Sequence, residues 1–191
     1  YAVDMDLERF FDTVGHSKLI EVLSRTIKDG RVISLIHKYL NAGVIQGGRF
    51  EETSEGVPQG GPLSPLLGNV LLNELDWELE RRGHKYVRYA DDAILHCRTK
   101  TEAEQTLAAL DERMKACGLE LHPEKTKQVY CRDYRRQDTY ETVKFDFLGY
   151  SFQPRSTKSK QTGKLFLGFD CAISISSKKR IADKLEDLKI D

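Results

Sequence analysis

The sequence predicts an α+β fold in which helices pack on one face of an antiparallel-rich sheet. Segments with apolar residues at every second position, which is the strand period, alternate with segments whose apolar residues recur every three or four positions, which is the helix period. The predicted elements follow in the order strand, helices, long helix, hairpin, helix and strand. This order favours an α+β arrangement with antiparallel neighbours.

A strand begins the chain. Alternation over residues 1–7 places apolar side chains on one face and leaves Asp4 and Asp6 on the other, with Asp6 near the end of the strand. Apolar residues at helical spacing then predict one helix that ends at Gly30 and a second that ends at Gly43.

The middle of the chain predicts a hairpin and the longest helix. Val44 to Thr53, with two consecutive glycines inside it, has the pattern of a hairpin. Gly60-Gly61-Pro62 opens the long helix, because proline is tolerated in a first turn, and Gly83 ends it. A single apolar stripe, mostly leucine, runs along this helix and marks the face that packs on the sheet.

Lys85 to Arg98 reads as two apolar strands separated by Ala90-Asp91-Asp92. Thr101 and Glu104 then match a capping box, and they predict the start of a helix that Gly118 stops.

The last third of the chain carries weaker patterns. We expect an exposed, mobile loop at residues 155–164, where the sequence is of low complexity. The remaining predicted elements are three strands and a final helix, at 128–131, 143–152, 165–169 and 178–190.

Composition excludes several classes of protein. Of 191 residues, 39% are hydrophobic and 31% charged, which is typical of a globular domain with a sizeable core, and no apolar run approaches the ~20 residues of a membrane span. The four cysteines lie far apart, which favours reduced thiols in a cytosolic compartment over a zinc site or a disulfide framework. Because the chain opens in a strand without an initiating methionine, we expect a fragment of a larger protein.

The zero net charge hides an asymmetry. Residues 1–123 carry 15 Lys/Arg against 20 Asp/Glu, whereas residues 124–191 carry 15 against 10. A basic surface of this kind fits a phosphate backbone, although a solvated face of a helix or strand has the same composition.

Adjacent carboxylates between two apolar strands indicate a metal site. Asp91 and Asp92 repel each other unless a cation neutralises them, although aspartate is also a common turn residue. Asp6 ends another strand, and three carboxylates at one sheet edge can hold two divalent ions about 3.5 to 4 Å apart. Oxygen ligands of this type suit Mg²⁺, whose coordination substrate phosphates and water complete.

At this point the chain resembles the reverse transcriptases. Tyr89-Ala90-Asp91-Asp92 is similar to their catalytic hairpin, and four further stretches follow the family's order across nearly the whole chain. These stretches resemble the first aspartate motif, the glutamine loop, the lysine motif and the primer grip, and they lie at residues 6–12, 57–65, 121–127 and 145–150.

The resemblance implies a right-hand polymerase palm and a two-metal nucleotidyl transfer. Asp6 and Asp91 become the principal ligands of two Mg²⁺ ions, for which Mn²⁺ can substitute, with Asp92 as a weaker third ligand and the carbonyl of Leu7 as an additional one. Asp4 and Asp12 are the local competitors. They are set aside because the family's spacing places the catalytic carboxylate five residues before the aromatic Phe11.

Several substrate contacts are implied in the same way. Phe11 lies under the incoming sugar and excludes a 2′-hydroxyl, or it is a core aromatic residue. Gln59 contacts the nucleotide, with Gly60 beside it allowing close approach of the backbone. Ala90 faces the primer terminus.

Lys125 is implied to neutralise phosphate charge or to protonate pyrophosphate, with Lys127 as the alternative. The primer grip is implied at Phe147, Leu148 and Gly149, which also read as an ordinary core strand.

The double glycine and the Leu-Ser-Pro that follow Gln59 favour group II intron-encoded reverse transcriptases with maturase function, over viral enzymes. The resemblance then implies a bacterial cytoplasmic nucleoprotein particle, with intron RNA template, DNA or RNA primer and deoxynucleotides as partners, and it allows a homodimer. A retron, diversity-generating or CRISPR-associated enzyme is the nearest alternative. An RNA-binding maturase or defence module with dispensable catalysis is another.

Two domains are expected: a palm with lower fingers connections at 1–175, and the truncated start of a thumb or maturase helix at 176–191. The upper fingers and most of the thumb are absent from this sequence, so we expect the isolated chain to extend primers poorly.

Overall fold

A four-stranded antiparallel sheet, in the order β4-β5-β1-β6, organises the computed structural model, which describes residues 1–58 and 60–188. The elements in chain order are β1 (Ala2–Met5), α1 (Phe10–Thr13), α2 (His16–Thr26), α3 (Gly30–Leu40), β2 (Val44–Gln46), β3 (Arg49–Glu51), α4 (Ser64–Arg81), β4 (Lys85–Tyr89), β5 (Asp92–His96), α5 (Lys100–Ala116), β6 (Lys127–Val129), β7 (Phe145–Phe147), β8 (Tyr150–Lys158), β9 (Leu165–Ile173) and α6 (Ile175–Asp187).

Strand β1 is the centre of this sheet, and its register fixes the two faces. Met5 pairs with Ala93 on β5, and Asp4 pairs with Lys127 on β6. Val3 and Met5 point into the main core, and therefore Asp4 points to the opposite face. This is the alternation that the sequence predicts for β1.

Two apolar clusters pack against the sheet. The main cluster joins β1 and β5 to the helices, and its largest contribution from one element is five buried leucines of α4, Leu67, Leu71, Leu72, Leu75 and Leu79. A smaller cluster contains Ala2, Ile94, Val129 and Phe145, whose sheet positions alternate with those of the main core. The helices therefore cover one face, and the smaller cluster covers part of the other face, whose polar end carries Asp4.

A separate three-stranded sheet, β7-β8-β9, replaces the single strand expected at 143–152. Leu148 and Gly149 form a two-residue turn between β7 and β8, and both have positive φ, of 49° and 81°. Two left-handed residues in succession are the signature of a tight hairpin turn, in which glycine is favoured at little steric cost. The apolar residues on each side hid this turn in the sequence.

The ribbon of β8 and β9 is longer than the sequence suggests. Its pairing continues to Lys158 opposite Leu165, so only residues 159–164 form a connection, and the loop expected at 155–164 is wrong in its first half. Polar residues in a two-stranded ribbon lack the apolar alternation by which a strand is recognised in a sequence. They are strand residues because they pair with the neighbouring strand.

Helix starts differ from the expectations by a few residues. Helix α5 begins at Lys100, where the Thr99 hydroxyl accepts from the Glu102 backbone N–H at 3.1 Å and the Glu102 carboxylate accepts from the Arg98 N–H at 2.7 Å. The expected box at Thr101 is therefore two residues too late.

The remaining helix starts follow the same capping principles. In α4 the proline of the first turn is Pro65 rather than Pro62. Gly30 begins α3 under an Asp29 cap instead of ending α2, which stops at Thr26. Helix α6 starts at 175, three residues early, under a Ser174 cap. The short α1 has no counterpart among the sequence predictions.

The four cysteines are free, as the sequence suggests, and two of them, Cys97 and Cys117, are buried. Within the described ranges, no helix is long and apolar enough to span a bilayer.

Leu75→Ala on α4 should lower the free energy of unfolding by about 3 kcal/mol, because it leaves a cavity under a side chain that is 1% exposed. Urea unfolding of the chain measures this change. Leu66→Ala on the same helix is the control, since Leu66 is 59% exposed, and it should cost less than about 1 kcal/mol. Equal losses for the two variants would contradict the packing described.

Candidate active site

The ends of two neighbouring strands bring Asp6 and Asp92 together. Asp6 directly follows β1 and Asp92 begins β5. Since Met5 pairs with Ala93, the next residues along the register are Asp6 and Asp92, which lie side by side at the ends of the two strands. Both lie at the edge of the face that the helices leave open.

Asp91 lies in the turn between β4 and β5. Tyr89 pairs with Asp92, so Ala90 and Asp91 form a two-residue connection, and Ala90 adopts a positive φ of 53°. Burial raises the pKa of Asp91, and the negative charge of Asp6 raises it further. The turn therefore carries Asp91 at the same end of the sheet as Asp6 and Asp92.

The segment at 121–127 holds the backbone of Asp6. The His122 N–H donates to the Asp6 carbonyl at 2.9 Å, and the Thr126 hydroxyl donates to the same oxygen at 3.0 Å. Leu7 pairs with Leu121 in an isolated bridge whose hydrogen bonds run through their neighbours, Glu8 to Glu120 and His122 to Asp6. Neither of these two hydrogen bonds uses the Leu7 carbonyl.

Two lysines on this segment pair with different carboxylates. Lys125 Nζ lies 3.2 and 3.4 Å from the two carboxylate oxygens of Asp6, and Lys127 Nζ lies 3.5 Å from Asp4 Oδ2. Lys125 remains 60% exposed, so its ammonium group can leave Asp6 at little cost in packing. The geometry separates the two candidates and associates Lys125 with the aspartate cluster.

The carboxylates of this edge are only partly compensated. Burial raises the pKa of both Asp91 and Asp92, and the negative charges of neighbouring aspartates raise it further. Burial also raises the pKa of Asp4 to about 6, against the opposing effect of Lys127. Each shift disfavours the charged form, which a bound cation would favour.

The donor set suits a hard divalent cation, because it consists of carboxylate oxygens beside the backbone carbonyl of Leu7. Within residues 1–58 and 60–188, however, no three Asp, Glu, His or Cys side chains are already gathered closely enough to hold an ion.

A cavity of about 400 Å³ opens beside the aspartates. It is lined by Asp4, Asp6, Asp92, Glu124, Lys125, Lys127, Lys144, Phe145 and Asp146. Its wall combines carboxylates with three lysines, an arrangement that can accept both cations and phosphate groups.

Phe11 lines a different cavity from the aspartates. Its ring is half-buried, with its centroid 5.1 Å from that of Phe10, and it borders a second cavity of about 490 Å³. The Val57 N–H donates to the Phe11 carbonyl at 2.7 Å, which ties the glutamine-loop segment to α1. Gln59 lies outside the described residues, and the adjacent Gly60 has a φ of 81°.

The expected primer grip is the β7–β8 turn. Leu148 is exposed, whereas Gly149 lies so close to α6 that a Cβ atom there would be 2.7 Å from Ser177 Oγ. Phe147 lines a third, largely apolar cavity of about 560 Å³ between the two sheets. The structure thus places this turn on the element that borders the aspartate cavity through Phe145.

Sequence reasoning missed Lys144 and Asp146 in the cavity wall and Arg88 behind the turn at Ala90 and Asp91. Lys144 and Asp146 belong to a segment distant in sequence from the other lining residues, so no local pattern marks them. Arg88 was more accessible to prediction, since it directly precedes the Tyr89–Asp92 motif and is a charged residue in an apolar strand.

Most of the chain matches the model of a known protein family. Residues 1–152 match the model described as reverse transcriptase (RNA-dependent DNA polymerase). The chain is 35% identical over 133 residues to the group II intron-encoded protein LtrA of Lactococcus lactis subsp. cremoris. This match covers 66% of the chain and 22% of LtrA. The chain is also 46% identical over 82 residues to protein YkfC of Escherichia coli K12, covering 43% of this chain and 22% of YkfC.

Solved structures show the same fold. A truncated apo telomerase from Candida tropicalis matches with a TM-score of 0.65 at 15% identity, over 91% of this chain and 35% of the telomerase chain. At that identity the likeness concerns the fold alone. The chain spans about a fifth of the length of LtrA and YkfC.

The raised pKa of Asp4 generates a prediction about stability. Because the folded state favours the protonated carboxyl, Asp4 costs no stability below about pH 4 and an increasing amount as pH rises through 6. Asp4→Asn should therefore raise the free energy of unfolding at pH 8 by about 1 to 3 kcal/mol, since this side chain is only 17% exposed. Urea unfolding at several pH values measures the gain.

The gain should shrink towards zero at pH 4. Glu124→Gln, at the exposed rim of the same cavity, is the control and should change stability by less than about 0.5 kcal/mol. A gain that is independent of pH, or a loss at pH 8, would contradict the assignment.

Proposed function

Because the chain belongs to the reverse transcriptase family, we propose that it is the palm of an RNA-directed DNA polymerase, which joins deoxynucleotides to a primer 3′-hydroxyl on an RNA template. The predicted resemblance to group II intron-encoded enzymes and the palm-type fold are confirmed by the relatives and by the fold match. The observation that carries the proposed activity is the convergence of Asp6, Asp91 and Asp92 on the open edge of the sheet.

We assign Mg²⁺ to this edge. The carboxylates of Asp6, Asp91 and Asp92 and the carbonyl of Leu7 would hold two ions, and Mn²⁺ would substitute for them. When bound, the ions lower the pKa of the primer hydroxyl and neutralise the departing pyrophosphate. The support for this assignment is the all-oxygen donor set and the uncompensated charge described above.

Lys125 has a role that its geometry supports. Its ammonium group lies 3.2 Å from an Asp6 carboxylate oxygen and neutralises that charge. Lys125 is exposed, so if a cation occupied Asp6 this side chain would be able to pair with the phosphates of an incoming nucleotide instead. Lys127 is bound to Asp4 and is less suited to this exchange.

The remaining substrate contacts belong to the same proposal. Phe11 limits the space beside the sugar, Gln59 and Gly60 contact the nucleotide, and Ala90 faces the primer terminus. The turn at Phe147, Leu148 and Gly149 supports the primer. Its tight backbone geometry and its contact with α6 make it a rigid support, as primer positioning requires.

The basic end of the chain provides a surface for RNA and primer. Lys158, Lys160 and Lys164 are exposed at the end of the β8–β9 ribbon, and no ion pair involves them within the described residues. Cations without acidic neighbours are available to phosphates, and their contribution to affinity falls as salt rises. We infer that intron RNA is the template partner, by analogy with the group II intron-encoded relatives.

Asp6→Asn or Asp91→Asn in the full-length protein should reduce primer extension at least about 100-fold, because each removes a ligand of the ions that stabilise the transition state. Primer extension with an RNA template and deoxynucleotides measures the loss. Asp111→Asn on the exposed side of α5 is the matched control and should retain wild-type activity. More than a few per cent of wild-type extension by either active-site variant would exclude the two-metal assignment.

Phe11→Ala should raise the incorporation of ribonucleotides relative to deoxynucleotides about 10- to 100-fold, because it removes the ring that excludes a 2′-hydroxyl. The ratio of kcat/KM for the two nucleotides measures the change in selectivity. Phe10→Leu is the control: Phe10 is fully buried, so this variant should lose stability without a change in the ratio. If Phe11→Ala also leaves the ratio unchanged, Phe11 is a core residue and another group excludes the hydroxyl.

A further inference from the structure

Arg88 connects the turn that carries Asp91 to the longest helix. It lies on β4 with a side chain that is only 11% exposed. Its Nε and Nη2 donate to the two carboxylate oxygens of Asp76 on α4, at 2.8 and 2.5 Å. Its Nη1 donates to Asn69 Oδ1 at 2.9 Å and to the Ala90 carbonyl at 2.7 Å.

These contacts use the guanidinium as a rigid fork. The bidentate pair with Asp76 fixes the plane of the group, and Nη1 is then aimed at the turn. Lysine cannot make this set of contacts, because it lacks a planar array of donors.

The contact with Ala90 determines the orientation of Asp91. The carbonyl of Ala90 and the N–H of Asp91 belong to one rigid peptide plane, so fixing the first fixes the second. The Cα atom of Asp91 also lies in that plane, so the direction in which its side chain leaves the backbone follows from the position of the Ala90 carbonyl. Ala90 is in the left-handed region, which is unfavourable for a residue other than glycine and needs support from its surroundings.

Stability alone does not account for the ion pair. A buried ion pair seldom stabilises a fold more than apolar residues of the same volume would. Here a largely buried arginine, a partly buried aspartate and an exposed asparagine are arranged around one carbonyl, which is explained if the position of that carbonyl matters.

We propose that Arg88, held by Asp76, is a positioning residue that directs the Asp91 carboxylate towards the cation and the primer. This inference rests on the proposed function. Arg88 also links the turn at Ala90 and Asp91 to α4, the helix that follows the glutamine-loop segment. Helix α4 therefore contributes to the position of the turn as well as of that segment.

Two variants of the full-length protein separate positioning from stability. Arg88→Lys keeps the charge and loses the fork. It should lower kcat about 100-fold and raise the Mg²⁺ concentration needed for half-maximal extension, with the Kd for primer–template unchanged. The double variant Arg88→Met/Asp76→Leu removes the ion pair without leaving an unpaired charge, so its unfolding midpoint should stay near that of the wild type. Its kcat should remain as low as that of Arg88→Lys.

Arg81→Lys, at the end of α4 with a side chain that is 72% exposed, is the matched control and should behave as wild type. Mn²⁺ binding to the same proteins, measured by electron paramagnetic resonance, provides a readout without turnover. It should weaken in both Arg88 variants.

The outcomes distinguish the two claims. If the wild type extends primers and the stable double variant extends them equally well, the positioning role of Arg88 is overturned and the proposed function stands. If the wild type neither extends primers nor binds Mn²⁺, the proposed function is wrong and the inference about Arg88 fails with it.

Discussion

Repulsion among carboxylates at one edge of the sheet is the constraint on which the rest of the structure depends. Asp6 and Asp92 are neighbours through the β1–β5 register, and Asp91 follows from the adjacent turn. Lys125 offsets only part of this charge, through an exposed and exchangeable contact. Two features of the fold fix the positions of these residues. Helices bury one face of the sheet, and the segment at 121–127 donates hydrogen bonds to the backbone carbonyl of Asp6. The cation that we propose at this edge would neutralise the remaining charge.

Local patterns in the sequence were sufficient for most of the fold. Alternation along β1 placed Asp4 and Asp6 on the open face, and the leucine stripe of α4 identified the main core. Prediction failed where two readings satisfy the same local rule. Thr99 with Glu102 and Thr101 with Glu104 both match a capping box, and the end of β5 selects the first. The turn at Leu148 and Gly149 was hidden because the flanking residues are apolar on both sides.

The candidate site was partly accessible in the same way. Its aspartates could be found because charged residues at the ends of apolar strands are conspicuous. Contacts such as that of Lys125 with Asp6, which joins residues 119 positions apart, depend on the register of β6 and were available only through family resemblance. Phe11 illustrates the remaining gap, since it borders its own cavity and its relation to a substrate sugar is not a property of the chain alone. Arg88 is the opposite case. It stands beside the motif in the sequence, but its hydrogen bond to the Ala90 carbonyl is visible only in the folded structure.

The most direct test of the cation site is anomalous diffraction from crystals of the chain grown with Mn²⁺ and a deoxynucleoside triphosphate. The manganese signal locates the ions without reference to any catalytic assay. We predict strong peaks in contact with the carboxylates of Asp6 and Asp91, with the Lys125 ammonium displaced from Asp6 towards the triphosphate. Manganese bound at other carboxylates, with Lys125 still paired to Asp6, would contradict the account.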